Sequence, residues 1–257
     1  MAKRDPKQNA PIWTRPAPGT RQPKLTREQI AEAALAIADR EGFEAVSMRR
    51  VAAELGVGTM TLYYYVKTKD DLLTLMDDAI MAEIVVPPDR LPRSWRDGLV
   101  AIAHATRDVY LRHPWALRAL QGARVGPNSL RHIEQSLAVV AGLGGDLAFR
   151  FGILAMVDDY VFGYAFRAGE VRAHPFDAKV MTIVADFMED QLASGEFPHV
   201  QDMFGDGDIA DVLSDLVRWF ADDSRFDIGL TALLDGLERR LAAILRPRSA
   251  RDRKRKR

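Results

Sequence analysis

The sequence predicts an all-α fold, with a three-helix helix-turn-helix domain at the N-terminus and a larger helical domain behind it. Two observations predict this fold class. Apolar residues recur at helical spacing in most segments of the chain. Between those segments stand glycines, prolines and the short polar residues that cap helices. With 257 residues, of which 47% are hydrophobic, the chain can bury one large core or two modest ones.

The formal net charge of zero conceals a division along the chain. Residues 1–27 carry a net charge of +6, residues 246–257 carry +7, and residues 28–245 therefore carry −13. Basic ends around an acidic body indicate that the ends contact a polyanion while the body does something else. For the basic C-terminal tail, residues 247–257, a role in solubility alone is an equal alternative.

Composition excludes several kinds of site. The chain has no cysteine, so it can form neither a disulfide nor a zinc or iron–sulfur site with Cys ligands. Its first residues are polar and rich in proline, and they lack the apolar core of a secretion signal. We therefore expect a cytoplasmic protein.

Residues 1–24 are expected to form a flexible basic arm. Five prolines interrupt this stretch, and no helix or strand survives that spacing. A basic arm can reach the phosphates or the minor groove of DNA. The alternative is a loose terminus without a partner.

Two capped helices should follow the arm. Thr26 and Gln29 form a predicted capping box at the start of the first helix, and a glycine ends it. Ser47 caps the second, which places Arg49 and Arg50 in its first turn. Cations are unfavourable at a helix N-terminus, so their presence indicates an outside anion such as a DNA phosphate. For Arg50, an ordinary solvated side chain is an equal alternative.

Residues 51–66 indicate two short helices joined by a tight turn. Gly56 stands where the first should stop, and Thr59 is expected to cap the second. At about 100° per residue, Leu62 and Val66 of the second helix point inward. Its outward face then consists of Met60, Thr61 and Tyr64, with Thr59, Tyr63 and Tyr65 on the flanks. Such a face suits a DNA major groove better than a core, although an ordinary helical hairpin is the alternative.

A longer helix should begin after the hairpin. Thr68 is its predicted cap, and Pro87 and Pro88 break it. Lys67 and Lys69 project beside the preceding short helix, where they could clamp a DNA backbone.

One ordered motif runs through residues 25–85. It contains Gly-Phe, then Ser-Met-Arg-Arg-Val-Ala-Ala-Glu-Leu-Gly-Val, then Thr-Leu-Tyr-Tyr-Tyr-Val, and finally Lys-x-Lys and Leu-Leu. This order resembles the N-terminal domain of TetR-type transcriptional repressors. The resemblance implies an all-helical homodimer that places one short helix per subunit in each half of a palindromic operator. The phasing, the lysine clamp and the resemblance together predict a DNA-binding set: Arg49, Thr59, Met60, Thr61, Tyr63, Tyr64, Tyr65, Lys67 and Lys69.

Past residue 88 the pattern predicts further helices and one exposed loop at 194–208. The helices are predicted at 94–113, 115–120, 129–140, 147–168, 180–192, 212–220 and 226–245. Segment 147–168 is nearly long enough to span a bilayer, but Asp158 and Asp159 at its middle make insertion expensive. We expect it to be buried on almost all sides, against its own core and a second subunit.

This body also resembles, more diffusely, the ligand-binding domain of tetracycline repressors. The resemblance implies dimerisation through helices 147–168 and 226–245. We expect a pocket for a small, apolar or cationic effector, although core packing is the alternative for each lining residue. The candidate ligand-binding residues are His104, Tyr110, Trp115, Met156, Asp159, Tyr160 and Phe162. Tetracycline repressors bring a magnesium-bound drug to a loop histidine that is absent from residues 122–128 here, so that metal site is not transferred.

No catalytic, metal-binding or cofactor-binding residues are predicted. No two of the five histidines have the spacing of a metal-binding pair on one helix face, and no phosphate-binding loop or Gly-x-Ser-x-Gly is present. The sequence therefore favours a ligand-responsive DNA-binding repressor over an enzyme, cytoplasmic and associated with the nucleoid. The expected domains are a helix-turn-helix domain at 25–70 and a ligand-binding and dimerisation domain at 71–246. The alternatives are a constitutive or activating regulator, or a helical protein-interaction adaptor.

Overall fold

The computed structural model describes residues 12–15, 25–120, 125–173, 178–205 and 207–245, and this part of the chain contains twelve α-helices and no β-strand. The all-α prediction is confirmed. The helices are α1 (Arg27–Glu41), α2 (Met48–Glu54), α3 (Thr59–Tyr65), α4 (Lys69–Ile84), α5 (Trp95–Arg112), α6 (Ala116–Ala119), α7 (Pro127–Val140), α8 (Leu147–Ala173), α9 (Ala178–Leu192), α10 (Pro198–Phe204), α11 (Ile209–Ala221) and α12 (Ser224–Leu245).

The chain divides into two units, Met1–Phe162 and Gly163–Arg257, and the boundary falls within α8. In the first unit α4 is central, because it packs against α1, α5 and α7. The division reflects packing density along the chain. The functional boundary expected at residue 70 stays a prediction.

Helix starts in the first unit follow the predicted caps. Thr26, Ser47 and Thr68 each accept a hydrogen bond from the backbone N–H three residues further on. Between α2 and α3, Gly56 has a φ of 66°, in the left-handed region that a residue without Cβ enters at little cost. These local signals fix where α1, α2 and α4 begin and where the chain turns between α2 and α3.

Residues 12–15 depart from the flexible arm that the sequence predicts. Ile12–Thr14 form one turn of 3-10 helix, and the Ile12 side chain is 1% exposed. Prolines on either side prevent a longer helix, but a single turn with one apolar anchor escapes that restriction. The rest of the predicted arm and the predicted basic tail at 247–257 lie outside the described residues.

The second unit contains a small core between α9, α10 and α11. Ala185, Phe204 and Ile209 are buried together there. The predicted loop at 194–208 is wrong in its middle, where Pro198–Phe204 form α10. Proline is favourable at the first position of a helix, and burial of Phe204 holds this short helix in place.

Helix α8 continues to Ala173, beyond the predicted end at residue 168. Within the second unit its Tyr164 ring packs edge-on against Phe226 of α12, with ring centroids 4.9 Å apart. Along α12 the buried side chains recur at helical spacing: Phe226, Leu230, Leu234, Leu237 and Leu241.

Among the described residues no single helix has the length and apolar composition needed to cross a membrane. Only the bent pair of helices 127–143 and 147–173, taken together, has that length and composition.

Candidate functional site

The outward face of α3 is exposed as its phasing predicts. Leu62 and Val66 are fully buried, whereas the Met60 side chain is 81% exposed. The rings of Tyr63 and Tyr64 are also exposed, at 40% and 51%. Large apolar and aromatic groups rarely stand free on a short surface helix without a partner. This face is therefore the first candidate for a binding surface.

Two predictions about α3 need correction. Thr59 does not cap the helix, because the helix begins at Thr59 itself and its N-cap is Gly58, which offers no side-chain acceptor. The Tyr65 ring is 8% exposed, so it does not belong to the outward face. Tyr65 lies three residues after Leu62 and therefore shares its inward side. Its ring meets Tyr64 edge-on at 5.7 Å and supports that exposed ring from behind.

The two arginines in the first turn of α2 have different environments. Arg50 pairs with Glu41 at 2.7 Å and with Glu54 at 2.8 Å. The guanidinium groups of Arg50 and Arg40 together lower the pKa of Glu41 to about 2. Arg49 is exposed, and the described part of the chain provides it with no ion pair. The alternative of an ordinary surface arginine therefore fits Arg50, while Arg49 keeps its charge available.

Lys67 and Lys69 flank α3 and are held over aromatic rings. The Lys67 Nζ lies 5.4 Å from the centroid of the Tyr64 ring, and the Lys69 Nζ lies 5.7 Å from that of Phe43. Both side chains are otherwise exposed. Lys67 thus places a cation on the exposed face of α3. Arg49 on α2 and Lys69 on α4 add exposed cations on the helices before and after it, and this charge is suited to a polyanion.

A buried carboxylate joins α4 to the start of α7. Asp78 of α4 is 5% exposed and accepts hydrogen bonds from the backbone N–H of Asn128 at 2.8 Å and of Ser129 at 3.4 Å. It also accepts one from Asn128 Nδ2 at 2.8 Å. The N-cap of α7, Gly126, has no side chain to do this, so Asp78 caps α7 from another helix.

A second contact joins the same two helices at the end of α4. The side-chain oxygen of Gln135, on α7, accepts a hydrogen bond from the Val86 N–H at 3.1 Å. Helix α4 is therefore attached to α7 through Asp78, just past its middle, and through the Val86 N–H, just beyond its end. Sequence reasoning missed Asp78 and Gln135, because each partner lies about fifty positions away in the chain.

Trp115, a predicted ligand-binding residue, is located elsewhere. Its Nε1 donates to Asp39 of α1 at 2.7 Å, and its ring stacks on Phe43 with centroids 5.7 Å apart. Buried His113 contacts the same carboxylate through Nδ1 at 2.7 Å, and Glu83 of α4 through Nε2 at 3.3 Å. Trp115 therefore connects the segment after α5 to α1 through its indole N–H, and its role in ligand binding stays a prediction.

Two of the predicted ligand-binding residues come together. The rings of Tyr110 on α5 and Phe162 on α8 meet edge-on at 5.4 Å. Burial raises the pKa of Tyr110, and the nearby carboxylates of Asp77 and Asp158 raise it further. Of the remaining candidates, Met156 is 41% exposed and Asp159 is exposed, while His104 and Tyr160 are half-buried.

A cavity that the sequence did not indicate lies in the second unit. It has a volume of about 380 Å³ and lies between α8, α9 and α11. Its lining is apolar apart from one arginine: Arg167, Val171, Met181, Val184, Leu213, Leu216, Val217 and Phe220. None of the predicted ligand-binding residues lines it. Within the described residues, no group of three His, Cys, Asp or Glu side chains could hold a metal ion.

Burial changes the pKa of the Asp158 carboxyl group on α8. Burial raises its pKa from 3.8 to about 6, and repulsion by Asp159 adds to the rise. The folded protein therefore holds this proton to a higher pH than the unfolded chain does. It follows that the contribution of Asp158 to stability falls as the pH rises from 3.8 to about 6, and stays unfavourable above that.

Replacing Asp158 by Asn should accordingly stabilise the protein at neutral pH. We expect a gain of about 1 kcal/mol at about pH 7.5, less than the shift alone implies because the side chain is partly exposed, and a smaller gain near pH 4. Urea denaturation at the two pH values measures it. Asp186→Asn, at an exposed position on α9, is the matched control. An equal gain from Asp158→Asn at both pH values would contradict the assignment.

Comparisons with known proteins agree with this geometry. Residues 30–76 match the family described as bacterial regulatory proteins, tetR family, and residues 87–241 match the tetracyclin repressor-like C-terminal domain. The HTH-type transcriptional repressor DrrR1 of Streptomyces coeruleorubidus is 37% identical over 234 residues, which cover 87% of this chain and 81% of that protein. An HTH-type transcriptional regulator of Saccharopolyspora erythraea is 36% identical over 195 residues, covering 73% and 81%. The crystal structure of Streptomyces coelicolor ActR in complex with actinorhodin superposes with a TM-score of 0.61 at 26% identity, covering 83% of this chain and 95% of that one.

Proposed function

The chain belongs to the TetR family of transcriptional regulators, and we propose that it is a homodimeric repressor that binds a palindromic operator and is released by a small-molecule effector. The observation that carries this proposal is the exposed face of α3, where Met60, Tyr63 and Tyr64 are accessible and Lys67 lies over the Tyr64 ring. The name of the similar protein DrrR1 also describes it as a transcriptional repressor.

In the proposed complex α3 lies in the major groove. Met60, Thr61 and the rings of Tyr63 and Tyr64 would contact base edges and thymine methyl groups. Arg49 would supply the strongest polar contact, and Lys67 and Lys69 would hold the phosphates on either side. Two copies of α3 in a dimer would fit successive major grooves if they stood about 34–36 Å apart.

Dimerisation is proposed through α8 and α12. The side chains of Phe151, Met156 and Phe162 on α8 are 37–46% exposed, and Ile228 on α12 is 67% exposed. Large apolar groups that remain exposed along a helix mark an interaction surface. We propose that a second copy of the chain covers them, with residues 71–246 as the ligand-binding and dimerisation domain and residues 25–70 as the DNA reader.

The effector is proposed to bind beside Tyr110 and Phe162, near Asp158. An apolar ring pair next to a carboxylate suits an apolar or cationic molecule. Solved structures of ActR hold small molecules, actinorhodin among them, which supports control by a ligand in a protein of this architecture. We propose that effector binding shifts the helices around it. That shift would reach α3 through α7 and α4, which the hydrogen bonds of Asp78 and Gln135 connect.

A mobility-shift titration tests both halves of the proposal. The probe is a duplex carrying the palindrome beside the protein's own gene, and the candidate effector is the substrate of the neighbouring gene product. We expect tight, salt-sensitive binding that the effector weakens, and the operator must weaken effector binding by the same factor. Absence of salt-dependent DNA binding would favour an adaptor, and operator affinity that saturating effector leaves unchanged would favour a constitutive regulator.

A further inference from the structure

Residues 12–15, which we call the N-terminal clip, contact α1 of the reader. Ile12 is buried at 1% exposure, and Arg27 of α1 lies under the Trp13 ring at 5.6 Å from its centroid. The Arg27 guanidinium also donates to the Arg15 carbonyl at 2.8 Å. An apolar anchor, a cation–π contact and a backbone hydrogen bond thus hold this short segment against the first helix.

The clip also reaches the connection between α3 and α4. The Arg15 guanidinium pairs with the Asp71 carboxylate, and the two side chains are only 20% and 11% exposed. The same carboxylate accepts hydrogen bonds from the backbone N–H groups of Lys67 at 2.9 Å and Thr68 at 3.1 Å. Arg15 therefore orients the group that fixes how the chain leaves α3 and enters α4.

A third contact joins the clip to α7. Trp13 lines a cleft of about 430 Å³ between α1, α4 and α7, together with Asp78 and Asn128. Its Nε1 lies so close to Gly126 that a Cβ on that residue would stand 2.9 Å away. The clip thus meets the reader and the start of α7, the helix that Asp78 joins to α4.

We propose that the N-terminal clip positions the reader for operator binding, and that Arg15 acts through Asp71 rather than on a DNA phosphate. The charges distinguish these two roles. A cation that neutralises a phosphate releases counterions and adds about 0.9 to the slope of log K against log salt. Arg15 already has a carboxylate partner, so its loss should leave that slope unchanged. Lys69, which is proposed above to hold a phosphate, should contribute to the slope.

The test compares three full-length variants, Ile12→Ala, Arg15→Gln and Lys69→Gln, by fluorescence anisotropy on the operator duplex over a series of KCl concentrations. Because a misaligned reader must be reordered before it binds, we expect Ile12→Ala and Arg15→Gln to weaken binding about tenfold without changing the salt slope. Lys69→Gln should reduce the slope by about 1. Circular dichroism and size exclusion establish that each variant keeps its helices and oligomeric state.

Two results would overturn the proposal. One is a reduced salt slope for Arg15→Gln, which would identify a phosphate contact. The other is wild-type affinity for Ile12→Ala. Because the proposal rests on operator binding, hydrogen exchange without DNA provides an independent reading. Backbone amides at the start of α4 should exchange about tenfold faster in Ile12→Ala than in the wild-type protein. Unchanged exchange would overturn the positioning role of the N-terminal clip, and this result does not depend on whether the wild-type protein binds the operator.

Discussion

Asp78→Ala should lower the free energy of unfolding by about 2–4 kcal/mol, because it removes a buried charged acceptor and leaves its donors unpaired. Three donors lose their partner: the backbone N–H groups of Asn128 and Ser129 and the Asn128 side chain. The N-terminus of α7 also loses its only side-chain cap among the described residues. Urea denaturation followed by circular dichroism measures the effect.

The matched control is Asp89→Ala, which removes the same side chain from an exposed position just after α4. We expect it to change stability by less than about 0.5 kcal/mol. Gly126→Ala approaches the same contact from the other side, because the new Cβ would lie 2.6 Å from the Asp78 Cγ and must displace it. That variant should cost about 1–3 kcal/mol through overpacking. If Asp78→Ala and Asp89→Ala unfold at the same urea concentration, Asp78 does not cap α7.

Arg49→Ala should reduce discrimination between the operator and unrelated DNA by about 10–100-fold, which corresponds to about 1–3 kcal/mol. The exposed face of α3 carries no Arg, Asn or Gln, the residues that make two-point contacts to bases. Arg49, on the preceding helix α2, is exposed and has no ion pair within the described part of the chain. Competition between a labelled operator and unlabelled operator or scrambled duplex gives the discrimination directly.

Two control variants separate the possible reasons for this loss. Arg50→Ala removes a neighbouring arginine whose charge is already paired with Glu41 and Glu54, and it should leave discrimination almost unchanged. Lys69→Ala should weaken binding to all sequences alike and lower the salt slope by about 1. If Arg49→Ala and Lys69→Ala cost the same discrimination, the proposed division between base reading and phosphate holding is wrong.

How much of the fold could be predicted depends on how far apart the interacting residues lie along the chain. The caps at Thr26, Ser47 and Thr68 involve a partner three residues away, so the sequence alone locates them. The pairs Arg15–Asp71 and Asp78–Asn128 join residues that are 56 and 50 positions apart, and no local pattern marks them. Such pairs can be identified only once the packing of the helices is known.

The candidate site shows the same limit on a smaller scale. Leu62 and Val66 fix the inward side of α3, but two anchors leave the position of Tyr65 open, and packing turns it inward. Trp115 has the composition of a pocket residue, yet a carboxylate on α1 satisfies its indole N–H. Pro198 and Phe204 were the signal for α10, and the glycines and aspartates around them obscured it.

The rings beneath Lys67 and Lys69 have a consequence for the thermodynamics of DNA binding. A free lysine side chain has about 2 kcal/mol of rotamer entropy, part of which it loses when it settles on a phosphate. Tyr64 and Phe43 restrict these two side chains before any DNA arrives. These two side chains have therefore lost part of their rotamer entropy on folding, and DNA binding should cost less entropy. If Lys67 and Lys69 contact the phosphates as proposed, their charges are already in place, and more of the electrostatic attraction should remain as affinity.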